Sequence, residues 1–202
     1  MITKKEYKKI SSRWTGKIYQ KWKKIKKRFP MIEQHIEFFK DAKVLELGAN
    51  AGMYAFLLYH YIKKYIGIEF DEHYYNQSLH TLKGKMDVTL IKDKFENIDI
   101  EVLDYDLFFV CYVLHHLNEK EINKLNVIFD KCNKVAISTR SGDPLKYGHD
   151  EIGFDPLPKW ENSRIKKMLD EHGFKSELHL MGKHDYNGIY LILAEKNDNN
   201  QG

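Results

Sequence analysis

From residue 43 onward the chain alternates short apolar runs with helical segments, and this alternation constrains its fold more than any other feature. Lys43–Leu47 (KVLEL) reads as a strand, Met53–Ile62 as a helix, Tyr65–Phe70 (YIGIEF) as a strand and Glu72–Leu82 as a helix. Val88–Lys92 is a third strand. Leu107–Tyr112 (LFFVCY) is a fourth, apolar enough to be buried on both faces, and a helix follows over Glu119–Asp130. Lys134–Thr139 (KVAIST) is a fifth strand, and Trp160–His172 is a helix ended by Gly173. Glu177–Met181 and Gly188–Glu195 close the series as an antiparallel pair. Strands separated by helices predict an α/β fold: a doubly wound, mostly parallel seven-stranded sheet with helices on both faces. With 43% hydrophobic residues, the 202-residue chain has enough apolar material for one ordinary core. We assign residues 41–196 to this domain, with no linker dividing it, and 197–202 (NDNNQG) to a flexible polar tail.

The segment before the first strand is of another kind. The formal net charge is +4, yet residues 1–30 hold twelve Lys/Arg against Glu6 alone, leaving the remainder at −7. Ile10, Trp14, Ile18, Trp22, Ile25 and Phe29 recur at helical spacing, Lys fills the other faces and Pro30 ends the run. Residues 1–40 therefore read as a basic amphipathic helical arm, with a second short helix at about 31–40 turning Ile32, Ile36 and Phe39 inward. Two uses stand side by side. The aromatic stripe docks on the domain and leaves solvated lysines, or the lysines of residues 4–28 also meet phosphates or anionic lipid.

Several classes are excluded at this level. No run of 18 apolar residues exists, so no membrane span is expected. MITKKEYKKISSR has no apolar segment behind its charges, so a secretory signal is not expected. Cys111 and Cys132 lack partner spacing, and a reducing cytoplasmic compartment is the expectation. No metal site is read.

Chemistry enters between the first strand and the first helix, at Glu46-Leu-Gly48-Ala-Asn50-Ala-Gly52. A glycine-bearing turn there lets backbone N–H groups approach a ligand closely. The dinucleotide pattern G-x-G-x-x-G fails, because Asn50 and Met53 occupy its second and third glycine positions; Gly-Lys-Ser/Thr is absent as well. What remains is E-x-G-x-x-x-G with an acid, Glu69, closing the next strand, where a carboxylate can accept both hydroxyls of a ribose.

VLELGANAG and IGIEFD together resemble the class I S-adenosylmethionine-dependent methyltransferases, over about residues 43–195. The resemblance implies a Rossmann-like methyltransferase fold, S-adenosylmethionine as cofactor and a role for each matching position. Glu46 would anchor the loop and the methionine amino group. Gly48, Ala49, Asn50 and Gly52 would line the methionine and ribose. Glu69 would hold the ribose hydroxyls, with Phe70 beside the adenine. Asp93 matches the adenine-amine acceptor, Lys94 and Phe95 would flank the base, and Cys111 and Tyr112 would lie under the cofactor. Ordinary structural roles compete for Asp93, Phe95 and Cys111: a loop acid, a core ring and a small core residue.

Methyl transfer needs an in-line nucleophile, and a base only where the acceptor is a hydroxyl or similarly poor nucleophile. His115 and His116, in the VLHHL run after the fourth strand, are the candidate bases, although either could instead cap or pack the following helix. The long connection 146–158 (KYGHDEIGFDPLP) reads as a lid, and Arg140, Tyr147, His149, Phe154 and Trp160 could meet an aromatic or anionic acceptor. VCYVL lacks the proline of the amine-methylating Asp/Asn-Pro-Pro motif, and Cys111 lacks the preceding proline of cytosine C5 enzymes. Trp14, Lys21-Trp22, Arg28-Phe-Pro30, VLHH and Phe154-Asp-Pro-Leu-Pro also resemble the wobble-uridine 5-oxyacetic acid tRNA methyltransferase group, although the chain is shorter and its glycine loop differs. The acceptor is left between RNA and a small metabolite, with RNA slightly ahead; a non-catalytic binding module is disfavoured by the intact Glu46, Gly48, Gly52 and Glu69 set.

Overall fold

The computed structural model describes residues 29–30, 32–85, 87–141, 162–184 and 187–196. Residues 1–28 and 31 of the arm, the connection 146–158 and the tail 197–202 lie outside the described residues. The elements run α1 (Ile36–Phe39), β1 (Lys43–Leu47), α2 (Met53–Leu58), β2 (Lys64–Ile68), α3 (Glu72–Leu82), β3 (Asp87–Ile91) and β4 (Leu107–Cys111). They continue with α4 (Glu119–Lys131), β5 (Lys134–Ser141), α5 (Asn162–Glu171), β6 (Phe174–His184) and β7 (Asn187–Lys196). Seven strands form one mixed sheet in the order β3-β2-β1-β4-β5-β7-β6. The chain divides into two compact units, Met1–Leu107 and Phe108–Gly202.

In the first unit β1 and β2 pair in parallel, Lys43 beside Lys64 through Leu47 beside Ile68, and β2 pairs in parallel with β3. Val44, Leu45, Leu47, Tyr65, Ile66 and Ile68 are buried, as a strand covered on both faces requires. The six residues of α2, MYAFLL, have no polar face, and all six are buried. Helix α2 is shorter than the apolar run through Ile62 suggests. The Tyr61 amide closes back on Leu58 O at 2.8 Å, and Tyr61 O is taken by the Asp41 amide at 2.7 Å, so the chain turns early. Asp71 caps α3, its carboxylate accepting the Tyr74 amide at 3.0 Å, a contribution of about 1 kcal/mol for such caps. The short helix before β1 is bent: α1 is confined to Ile36–Phe39, Ile32 and Phe39 are fully buried, and Ile36 is half-buried.

Strand β4 begins at Leu107, the last residue of the first unit, and in the second unit its Phe108, Phe109 and Val110 are buried, as their unbroken apolarity suggests. Asn118 and Glu121 make a reciprocal capping box at the start of α4, whose Ile122, Leu125, Ile128 and Phe129 form the buried stripe. The Phe129 ring meets Phe108, Phe174 and His172 edge-on, with centroids 6.2, 6.3 and 5.7 Å away. Strands β5 and β6 both pair antiparallel to β7. Among the described residues no helix is long and apolar enough to cross a membrane.

Candidate functional site

The loop between β1 and α2 takes a shape that few residue types allow. Gly48 (φ 76°), Asn50 (φ 49°) and Gly52 (φ 69°) all occupy the left-handed region, where glycine is unstrained and asparagine tolerated. The Gly48 and Ala49 amides both donate to Ile68 O, at 3.0 and 2.9 Å, which ties the loop to the end of β2. The Asn50 side chain donates to Gly48 O at 2.9 Å. Gly52 is required for space as well. A Cβ there would lie 2.9 Å from Leu82 Cδ1 and 3.3 Å from Ser78 Cβ, so α3 packs directly on the loop.

Glu69 stands one residue past β2 and is only 5% exposed. Its two oxygens are divided between two stretches of backbone: Oε2 accepts the Asn50 amide at 2.7 Å, and Oε1 accepts the Asp71 amide at 2.9 Å. The carboxylate thereby holds the glycine loop and the start of α3, and each oxygen keeps further acceptor capacity for a hydroxyl. Phe70, the next residue, is 70% exposed.

Glu46 is 2% exposed, and its Oε2 accepts the Tyr65 hydroxyl at 2.7 Å. Among the described residues no other group bonds to this carboxylate. Burial pushes its pKa up to about 8; the Tyr65 hydroxyl opposes the shift and the Glu69 charge adds to it. Burial, and then the neighbouring Glu46, push the Tyr65 phenol well above its ordinary range. Sequence reasoning missed Tyr65, which looks like one more apolar-run residue of a covered strand. It missed Gly67 for the same reason. Gly67 is the register partner of Glu46, and a Cβ on it would come 2.7 Å from Tyr65 Cε1 and 2.8 Å from its hydroxyl. The available signal was the i, i+2 spacing of Tyr65 and Gly67, which puts both on one face of β2.

The stretch after β3 is organised for itself. Asp93 is exposed, and its Oδ1 accepts Asn97 Nδ2 and the Lys94 amide, both at 2.7 Å, which holds its carboxyl below the usual range. Lys94 is exposed, and Phe95 is buried in a short 3-10 turn, Phe95–Asn97. These positions show the local roles that compete with adenine binding.

In the second unit, half-buried Cys111 ends β4, and Tyr112 follows with φ 57° and its amide on Ser138 O at 3.0 Å. Leu114–His116 forms a 3-10 turn. His116 is exposed at the surface, and partial burial of its ring still lowers its pKa, favouring the neutral imidazole that can accept a proton. The His115 and Arg140 side chains, with Tyr147, His149, Phe154 and Trp160, lie outside the described ones. Among the described residues no group of three His, Cys, Asp or Glu could hold a metal ion.

A left-handed glycine loop tied to β2, a buried acid before it and a buried acid past the next strand, in a sheet of this order, fit the resemblance to the class I S-adenosylmethionine-dependent methyltransferases. Residues 45–138 match the family model described as a methyltransferase domain, which identifies this stretch as an S-adenosylmethionine-dependent methyltransferase domain. No curated protein matches the chain. Among solved structures it is similar to the methyltransferase domain of bacterial CtHen1-C, with TM-score 0.65 and 17% identity over 84% of this chain and 97% of that one. It is also similar to the DhpI–SAH complex, with TM-score 0.66 and 10% identity over 87% of each chain. A third is the magnesium protoporphyrin IX methyltransferase of Synechocystis PCC 6803 with bound SAH, with TM-score 0.66 and 14% identity over 95% of this chain and 94% of that one. The residues present fit the cofactor: a buried carboxyl group for an ammonium, acceptor oxygens for a diol and an exposed ring for a base.

Proposed function

We propose that this methyltransferase acts on RNA, with tRNA the first candidate, and that the basic arm grips the phosphates. The observation that carries the reading is the charge division: twelve Lys/Arg against one acid in residues 1–30, on a remainder with net charge −7. A solubility tag would not need that concentration on an amphipathic pattern. A small-metabolite acceptor is the second reading, favoured by the likeness to the magnesium protoporphyrin IX methyltransferase. In that case the arm is a lid.

The cofactor, when bound, supplies a methyl group on a positively charged sulfur. In our reading Glu46 pairs with the methionine ammonium, and Gly48, Ala49, Asn50 and Gly52 form the backbone against which the methionine and ribose rest. Glu69 accepts the ribose hydroxyls, supported by its burial and its divided oxygens. Phe70 stacks on the adenine, supported by its exposure. Asp93, Lys94 and Phe95 border the adenine, and Cys111 lies under the cofactor. Positioning of this kind accounts for most of the rate, since the sulfonium needs no activation. His116, or His115 beside it, takes the acceptor proton where the acceptor is a hydroxyl; the lowered pKa of His116 supports that role at neutral pH.

The test is to chase a methyl-labelled donor into total RNA and into a small-molecule extract. Label in RNA, lost together with salt-sensitive retention on an anionic polymer in the Lys23→Glu, Lys24→Glu, Lys27→Glu variant, is the expected result. Label confined to the small-molecule extract and indifferent to those changes overturns it.

A further inference from the structure

The buried pair Glu46–Tyr65 is more elaborate than loop anchoring requires. A tyrosine in β2 lies along its own strand, and its hydroxyl reaches a carboxylate on β1 at 2.7 Å, in a place that is 1–2% exposed. The path exists only because residue 67 has no side chain: a Cβ there would lie 2.7–2.8 Å from the ring edge and hydroxyl, and 3.0 Å from Ala49 Cβ. A phenol bound to a carboxylate in a dry setting fixes the carboxylate's rotation and stabilises its anion. One oxygen, Oε2, is thereby occupied, leaving Oε1 without a donor among the described residues.

We propose that Tyr65 is a positioning residue for cofactor binding: through the gap at Gly67 it favours the Glu46 anion over the protonated acid and turns the carboxylate so that Oε1 meets the methionine ammonium. This rests on the reading that Glu46 holds that ammonium. The groups that bear electrostatically on Glu46 are Tyr65 and Glu69; the first favours its anion and the second opposes it. Free Glu46 is largely protonated at neutral pH, its pKa being about 8, so binding the ammonium displaces a proton.

The experiment is calorimetric titration of S-adenosylmethionine into the full chain at pH 7, 8 and 9, for wild type, Tyr65→Phe, Glu46→Gln and the double variant. Losing one hydrogen bond to the anion raises a carboxyl pKa by about one unit, so Tyr65→Phe should bind about tenfold more weakly than wild type at pH 7 and about twofold at pH 9. Titration of the ligand's own amine cancels in that ratio. In the Glu46→Gln background the tyrosine substitution should change affinity less than twofold. A ratio that is flat with pH, or equally large in the Glu46→Gln background, overturns the proposal and makes Tyr65 a packing residue. Wild-type affinity of Glu46→Gln at pH 9 overturns instead the placement of the ammonium on Glu46. Melting curves check that Tyr65→Phe, which loses one oxygen, folds. Independently of that variant, wild-type binding in buffers of different ionisation enthalpy should release most of one proton at pH 7; no release overturns the proton displacement on which the pH dependence depends.

Discussion

An acid kept for a ligand should destabilise the empty protein, and Glu46 allows that cost to be measured. Its folded pKa of about 8 lies above the unfolded value of 4.5, so the folded state binds the extra proton. For a raised carboxyl pKa the stability is full below the unfolded pKa and is lost as pH rises toward the folded one. The loss is about 1.4 kcal/mol per pH unit across that window, which amounts to about 3 kcal/mol at pH 7 and nears 5 kcal/mol above pH 8. Glu46→Gln keeps an oxygen that can accept the Tyr65 hydroxyl and removes the titration. The variant should match wild type near pH 4.5 and exceed it by about 3 kcal/mol at pH 7, or about 6–12 °C in melting temperature for a chain of this size. Urea unfolding of the cofactor-free protein at pH 5, 6, 7 and 8 reads the difference directly. A wild type as stable as the variant at pH 8, or a gap that does not widen with pH, would refute the reasoning.

Other consequences of the geometry can be checked more briefly. Gly52→Ala must hold φ 69° and place a Cβ 2.9 Å from Leu82 Cδ1, so backbone strain and overpacking together should cost about 2–4 kcal/mol, seen as an earlier urea midpoint. Asn118→Ala removes the acceptor of the Lys120 and Glu121 amides at the start of α4 and should cost about 1 kcal/mol in the same assay, with cofactor affinity unchanged.

Much of this was legible in the residues. KVLEL forms β1 and EHYYNQSLHTL forms α3 with the expected boundaries, because apolar runs and amphipathic spacing are local signals. Strands β2 and β3 begin one residue earlier than their most apolar stretches, since pairing extends the ladder over Lys64 and Asp87 regardless of polarity. Strand β6 is longer than Glu177–Met181 for a similar reason: pairing with β7 carries it from Phe174 to His184 across a register shift at Leu180/Gly182. The start of the helix read from Trp160 lies outside the described residues. At the site, Glu46, the glycine loop and Glu69 were readable because their chemistry is rare at that spacing. The Tyr65–Glu46 bond was not, because its partners are 19 residues apart and meet only when strand register is known. Asp93 shows the converse. An acid after β3 suggests a ligand acceptor, while its Oδ1 is engaged by its own turn.

The central claim is that Glu46, the glycine loop and Glu69 form one cofactor site. Calorimetry of the full chain with S-adenosylmethionine, repeated on Glu69→Ala, tests it most directly. The account predicts one site per chain in the wild type and at least about a hundredfold weaker binding in the variant, which loses charge-assisted bonds to two hydroxyls and the latch on the Asn50 amide. No heat from the wild type, or equal affinity in Glu69→Ala, would contradict it.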